Sequence, residues 1–178
     1  MTARSTLADS IHLSILIPTY KRPELLSKAL ESVAAQTRQA DEVIVVDNDE
    51  AKTALSTIEK LNSKIANLNY KPDSSRQGAA FAMNVAGNEA SGNWLVYLDD
   101  DDYWHPEYLV TLEQAIEHSA ANCIITWLTY DFDGSIIGGK KMPRQITIEK
   151  IIRDGNPGFV GTNFAVQKSL FQNLGGVD

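Results

Sequence analysis

Residues 94–104, Trp94-Leu95-Val96-Tyr97-Leu98-Asp99-Asp100-Asp101-Asp102-Tyr103-Trp104, decide how this chain is to be read. A short apolar run gives a strand buried on both faces, and four carboxylates follow it without a spacer. A strand of that kind belongs to a sheet covered by helices on either side. The acidic run then puts hard oxygen ligands at one fixed edge of the sheet. Alternate residues of an extended strand end point the same way, so Asp99 and Asp101 can serve one ligand together.

Working outward, the same strand-then-helix rhythm fills the first 130 residues or so. His12-Leu13-Ser14-Ile15-Leu16-Ile17 reads as a buried strand that Pro18 stops. Arg22-Pro23-Glu24 opens a helix, proline being tolerated in the first turn, and Leu25, Leu26, Ala29, Leu30 and Val33 recur on one face. The β-branched run Glu42-Val43-Ile44-Val45-Val46 is a second strand, followed by a helix over 51–61. A strand over 68–71, an alanine-rich helix over 78–90, the strand 94–98, a helix over 106–118 and a strand over 123–128 complete the series. Alternation of this sort predicts an α/β fold with a Rossmann-like, doubly wound, mostly parallel sheet. Beyond Leu128 the rhythm changes: a hairpin turns at Asp133-Gly134, then a short helix over 148–153 and a strand over 159–166 follow, so the C-terminal part is mixed. Residues 1–10 are a polar, flexible lead-in, and 11–178 are one domain.

Composition narrows the function. Sixteen basic and 23 acidic residues leave a net charge of −7, which disfavours a nucleic-acid partner because no basic stripe replaces counterions. No apolar stretch reaches the ~18–20 residues of a transmembrane segment, and residues 1–10 lack the apolar core of a signal peptide. The single cysteine, Cys123, sits among apolar neighbours and reads as a buried structural thiol; with no partner for a disulfide, a cytoplasmic setting fits.

In an open α/β sheet, ligands bind beyond the carboxyl ends of the strands, where the strand order reverses. The residues in that position are Pro18-Thr19-Tyr20, Asp47-Asn48-Asp49, Lys71-Pro72-Asp73 and the run Asp99–Asp102. An edge this acidic is costly unless a cation or hydrogen-bond donors offset it. Carboxylate ligands suit a divalent cation, Mn2+ or Mg2+, held by one or two side chains together with phosphate oxygens. A solvated acidic turn is the competing reading.

Taken together, Ser14-Ile15-Leu16-Ile17-Pro18-Thr19-Tyr20, Val45-Val46-Asp47-Asn48, Tyr97 to Trp104 with Pro106, and the closing Leu174-Gly175-Gly176-Val177-Asp178 resemble family 2 glycosyltransferases of the GT-A fold. The likeness runs from about Leu13 to Asp178, with Val177 in the place of the family's usual aromatic. It implies that Pro18, Thr19 and Tyr20 pack on the nucleotide base, Tyr20 offering a flat ring, although a plain strand-ending turn is the alternative. It implies that Asp47 accepts from the pyrimidine, with Asn48 replacing a second aspartate; the alternative is a cap on the next helix. Arg76 would meet a phosphate or the base, or be a plain surface arginine. Met83 stands where the family has an arginine, and Asn84 braces the acidic loop. Asp99 and Asp100 would lie by the ribose and pyrophosphate, Asp101 would hold the metal (the family's Asp-x-Asp motif), and Asp102 and Trp104 would be structural.

The implied partners are a nucleoside-diphosphate sugar, UDP-linked above all, and a glycan or lipid-linked acceptor in polysaccharide or glycoconjugate biosynthesis, in the cytoplasm or at the inner face of the membrane. The implied chemistry is an inverting single displacement. The family's catalytic base lies after the glycine-glycine stretch, so the base is expected beyond Asp178 and the chain is expected to be part of a longer catalytic domain. The segment 156–163 either borders the acceptor cleft or simply connects. Among rivals, an aspartate-nucleophile phosphatase would carry its acidic motif on the first strand, and a dinucleotide oxidoreductase would need a glycine-rich turn there. A non-catalytic nucleotide-sugar-binding module is the remaining alternative.

Overall fold

The computed structural model describes residues 10–139 and 160–177. The predicted helix over 148–153, most of the lead-in and Asp178 lie outside the described residues. The elements run β1 (Leu13–Thr19), α1 (Pro23–Ala34), β2 (Glu42–Asp47), α2 (Leu55–Leu61), β3 (Leu68–Pro72), α3 (Ala79–Glu89), β4 (Trp94–Tyr97), α4 (Tyr108–Glu117), β5 (Cys123–Ile125), β6 (Thr129–Phe132), β7 (Ser135–Gly138), a single 3₁₀ turn (Gly161–Asn163), β8 (Phe164–Gln167) and α5 (Lys168–Leu174).

Six strands form one sheet in the order β3-β2-β1-β4-β8-β5. The first four are parallel, and β8 enters antiparallel between β4 and β5. The doubly wound reading therefore holds, and the mixed part is one reversed strand set inside the main sheet. Every residue of β1 is buried, because each face is covered. Ile15, Ile17, Val43, Val45, Val96 and Leu98 pack toward α1, α2 and α4. Leu16, Ile44, Val46, Leu95 and Tyr97 pack toward Ala82, Met83 and Ala86 of α3 and Phe171 of α5. In α1 the buried set is Leu26, Ala29, Leu30 and Val33; Leu25, expected on the same face, is exposed.

Three local expectations need correction. Pro18 does not end β1, which pairs on with β2 through Pro18↔Val46 and Thr19↔Asp47. Leu16 turns its backbone toward β4, where its carbonyl accepts from Leu98, and Thr19 turns toward β2, where its carbonyl accepts from Asn48. Pro18 shares the orientation of Leu16, so its missing N–H falls on the side that β4 has already left after Leu16↔Tyr97. Helix α2 starts at Leu55, not near Ala51, because the Asp49 carboxylate accepts from the N–H groups of Ala51 and Thr53 and from the Thr53 hydroxyl, holding those residues in turns. Cys123 is exposed: it opens the three-residue strand β5, which among the described residues pairs with β8 alone.

The predicted hairpin is present. Asp133 and Gly134 both take positive φ (50° and 84°), as a two-residue hairpin turn requires. All eight residues of β6 and β7 are exposed, including Tyr130, Phe132, Ile136 and Ile137, and Tyr103 donates its hydroxyl to Asp131 near the hairpin's turn.

The loop carrying the acidic run is anchored from a distance by Gln36, which is 2% exposed. Its amide donates to the carbonyls of Ser32 (3.1 Å) and His105 (2.8 Å), and its Oε1 accepts from the N–H of Leu109 (3.0 Å). Leu109 is in the first turn of α4, whose own N-cap residue, Glu107, makes no side-chain capping bond. Gln36→Leu keeps the volume but removes all three bonds, leaving the buried Leu109 N–H without its partner, while the His105 carbonyl keeps the Tyr108 N–H. It is expected to destabilise the fold by about 1–3 kcal/mol, read as a lower urea midpoint with unchanged m.

Candidate functional site

The chain passes from β1 outward to β2 and β3 and then crosses back to β4 on the opposite side of β1. The carboxyl ends of β1 and β4 therefore diverge into a crevice. A cleft of about 600 Å³ occupies it, and Pro18, Thr19, Tyr20, Asn48, Asp99, Asp100 and Asp101 are among the residues that line it. Seven of the nine residues named from the sequence thus come together, with Arg22, Gln77, Gly78 and Ala79 beside them.

The other two stand apart. Asp47 is fully buried beneath the cleft, with one oxygen accepting from the N–H of Asp49 (2.9 Å) and the other from the Tyr70 hydroxyl (2.8 Å). Burial, with Asp47 as hydrogen-bond acceptor, pushes the Tyr70 hydroxyl well above its ordinary value. Arg76 is exposed and is not one of the residues lining the cleft, whereas its neighbour Gln77 reaches the Tyr20 hydroxyl (3.4 Å).

The acidic run is held by its surroundings one residue at a time. Asp100 is 6% exposed; it accepts from Thr19 Oγ1 (2.7 Å), and Arg22 Nη1 lies 3.3 Å from its second oxygen. The same Nη1 reaches Asp101 Oδ2 at 2.9 Å. Burial raises the Asp100 carboxyl, and the Thr19 and Arg22 contacts work against that rise. Asp99 also lines the cleft; burial, then repulsion from Asp102, Asp101 and Asp100, lifts its carboxyl to about 6. Asp102 is likewise raised, by burial and then by Asp101.

Arg22 was passed over in the sequence as the opening of a helix. Lys21 takes a left-handed conformation (φ 57°), an arrangement that costs a lysine roughly 1–2 kcal/mol. That turn swings Arg22, the N-cap residue of α1, back across the end of β4. The available signal was charge: a basic pair directly after the first strand, in a fold that sets that strand beside the four aspartates.

Behind the acidic run, Trp104 is buried, stacks on Tyr108 with centroids 4.4 Å apart, and donates its indole N–H to the Thr162 carbonyl (3.3 Å). The 3₁₀ turn it supports brings Gly161 against the acidic end: a Cβ there would fall 2.5 Å from Asp99 Oδ1. The described end of the 156–163 segment thus borders the carboxylates. Asn84 does not brace the acidic loop as expected. Its amide donates to the Val177 carbonyl and accepts from the Val177 N–H, both at 2.8 Å, because α3 faces α5 and not β4's end. Gly175 and Gly176 both take positive φ (80° and 100°), and a side chain at Gly176 would collide with Asn84.

The donor set at the crevice is carboxylate oxygen alone, which suits a hard divalent cation. Among the described residues, no three His, Cys, Asp or Glu side chains converge as a ready-made ligand cage. The residues therefore fit a cation held by one or two carboxylates that shares its coordination with phosphate oxygens, the usual arrangement for Mg2+ at nucleotide sites.

A doubly wound sheet with an acidic strand end at its switch point is an α/β domain of the GT-A kind. The family model described as glycosyl transferase family 2 matches residues 14–175, and the chain belongs to that family. A Haemophilus influenzae protein named an uncharacterized glycosyltransferase is 29% identical over 178 residues, covering 93% of this chain and 56% of that protein. A Campylobacter jejuni GalNAc(5)-diNAcBac-PP-undecaprenol beta-1,3-glucosyltransferase is 31% identical, covering 90% of this chain and 53% of the relative. Among solved structures, S. aureus TarS 1–349 in complex with UDP superposes with a TM-score of 0.76 at 22% identity, covering 93% of this chain and 49% of that one. The Pyrobaculum calidifontis mannosyltransferase PcManGT, solved with GDP-Man and Mn2+, gives 0.68 at 22% identity, covering 95% and 48%. The chain spans about half the length of the relatives it matches.

The lifted Asp99 carboxyl predicts a pH signature in metal-free protein. Its folded value lies above the unfolded 3.8, so the native state binds more protons between about pH 4 and 6 and loses stability as pH rises through that window. Asp99→Asn should therefore gain stability relative to the parent between pH 4 and 7, by urea denaturation in chelator. A difference that stays flat with pH would count against this.

Proposed function

We propose that this chain is the donor-binding part of a metal-dependent, inverting glycosyltransferase, one that moves a sugar from a nucleoside diphosphate, UDP by preference, to a hydroxyl of a glycan or lipid-linked acceptor. The observation that carries the reading is the cleft at the β1/β4 switch point, which gathers the Tyr20 ring and the carboxylates of Asp99, Asp100 and Asp101. Its volume of about 600 Å³ suits a nucleotide sugar. Supporting it are membership of the family, the nucleotide complexes of TarS and PcManGT, and the undecaprenol-linked acceptor in the C. jejuni relative's name.

Each residue has a task in this reading. Tyr20, 40% exposed, offers a flat face for the base, steadied by Gln77 on its hydroxyl. Asn48, whose amide donates to the Asp73 carbonyl (2.8 Å), fixes the wall beside it. Asp47 contributes by holding the Tyr70 hydroxyl and the Asp49 turn beneath the base. Arg76, on the exposed loop before α3, is left for a phosphate or base contact once donor is bound. Asp99 and Asp100 face the ribose and diphosphate. A divalent cation on Asp101 would supply Lewis-acid stabilisation of the charge that gathers on the leaving diphosphate. The acceptor's proton goes to a positioned carboxylate base. No described helix is long and apolar enough to cross a membrane.

Calorimetry with UDP and GDP, with and without Mn2+, tests the reading. UDP is expected to bind more tightly with Mn2+, and Asp101→Ala should weaken that metal-dependent binding by more than about tenfold, since even groups behind a metal's ligands are commonly worth that much. Unchanged affinity and metal dependence in the variant would overturn it. Sugar release onto an acceptor by the full-length protein distinguishes a transferase from a binding module.

A further inference from the structure

We propose that Arg22 is a tethered counter-ion that occupies the cation's place between Asp100 and Asp101, so that the site takes up a divalent metal together with a diphosphate and resists the bare ion. This rests on the reading of Asp101 as metal ligand and adds a regulatory residue to it. The geometry is direct: one nitrogen, Nη1, lies 2.9 Å from Asp101 Oδ2 and 3.3 Å from Asp100 Oδ1. A hard cation bonded to that Asp101 oxygen at about 2.0–2.2 Å would stand within a few ångströms of a full positive charge on the same atom. Two like charges so close repel strongly near a half-buried surface, so metal and guanidinium exclude each other.

Release is open to Arg22 and not to Asp100. Its side chain is 51% exposed, and its backbone is fixed by the Lys21 turn and by the bond from the Leu26 N–H to its carbonyl (3.0 Å). The head group can therefore swing out without disturbing α1. Asp100 has only 7% of its side chain exposed and stays held by Thr19 when the arginine leaves. Until then the guanidinium offsets the mutual repulsion of the acidic run. Bare metal must displace it for two carboxylates alone, whereas metal arriving with a diphosphate brings further oxygen ligands and gives the freed guanidinium an anion to face.

The test is a comparison of Mn2+ affinities, measured from the free-ion paramagnetic resonance signal, for the parent protein and Arg22→Met, each with and without UDP. Arg22→Met should bind bare Mn2+ about tenfold more tightly than the parent, the scale of a typical site-to-site coupling, and UDP should improve its Mn2+ affinity by less than it does the parent's. Equal or weaker bare-metal binding by Arg22→Met overturns the proposal for Arg22 while leaving the metal site standing. Absence of Mn2+ binding by both proteins even with UDP overturns the metal reading itself. Should Arg22→Met not fold, the parent's Arg22 guanidinium resonances decide the matter. Mg2+ with UDP should change them from those of a fixed pair to those of a released side chain, and no change at saturating metal overturns the proposal.

Discussion

Four carboxylates in sequence at the end of a buried strand repel one another, and the rest of this architecture is arranged around that repulsion. β4 cannot move them apart, since its register with β1 and β8 is set by the core on both faces. The surroundings offset the charge instead, with the Thr19 hydroxyl and Arg22 on Asp100 and Arg22 again on Asp101. Asp99 stays raised to about 6 even so. Local destabilisation of that kind is characteristic of ligand sites, where the missing counter-charge arrives with the ligand.

The placement depends on chain order as much as on charge. Reversal of strand order between β1 and β4 opens the crevice, and the first loop after β1 supplies both an aromatic face and the basic head group opposite the acidic run. Gln36 and Trp104, buried and each hydrogen-bonded to backbone well away in sequence, keep the loop after the run from drifting. The site is therefore built on rigid elements, with Tyr20, Arg22, Gln77 and Asp101 among its exposed side chains.

Much of this was legible from residue order. Alternating apolar strands and amphipathic helices encode a doubly wound sheet through local periodicity, and an acidic run directly after a buried strand has few other meanings. What escaped depends on distance in space. Nothing near Asp47 in sequence says that Tyr70, on the neighbouring strand, will take one of its oxygens. Nothing near Asn84 says that α5 will bring Val177 to it. Pro18 looked like a strand end because proline lacks a donor, yet the sheet had no acceptor to offer on that side. Arg22 looked like a helix start because its partners lie in a loop far along the chain. Arg76 drew attention through the family pattern, while the cleft is lined by the residue after it.

The reversed strand β8 carries a consequence for how the protein is made. It sits between β4 and β5, so on a ribosome the first four strands emerge with β4 as a bare edge and β5 with nothing to pair against. Contacts of such long sequence separation form late, and an open apolar edge is a template for the wrong neighbour. The acidic residues just past β4 then act as gatekeepers during synthesis, since like charge discourages two nascent edges from joining before β8 closes the gap.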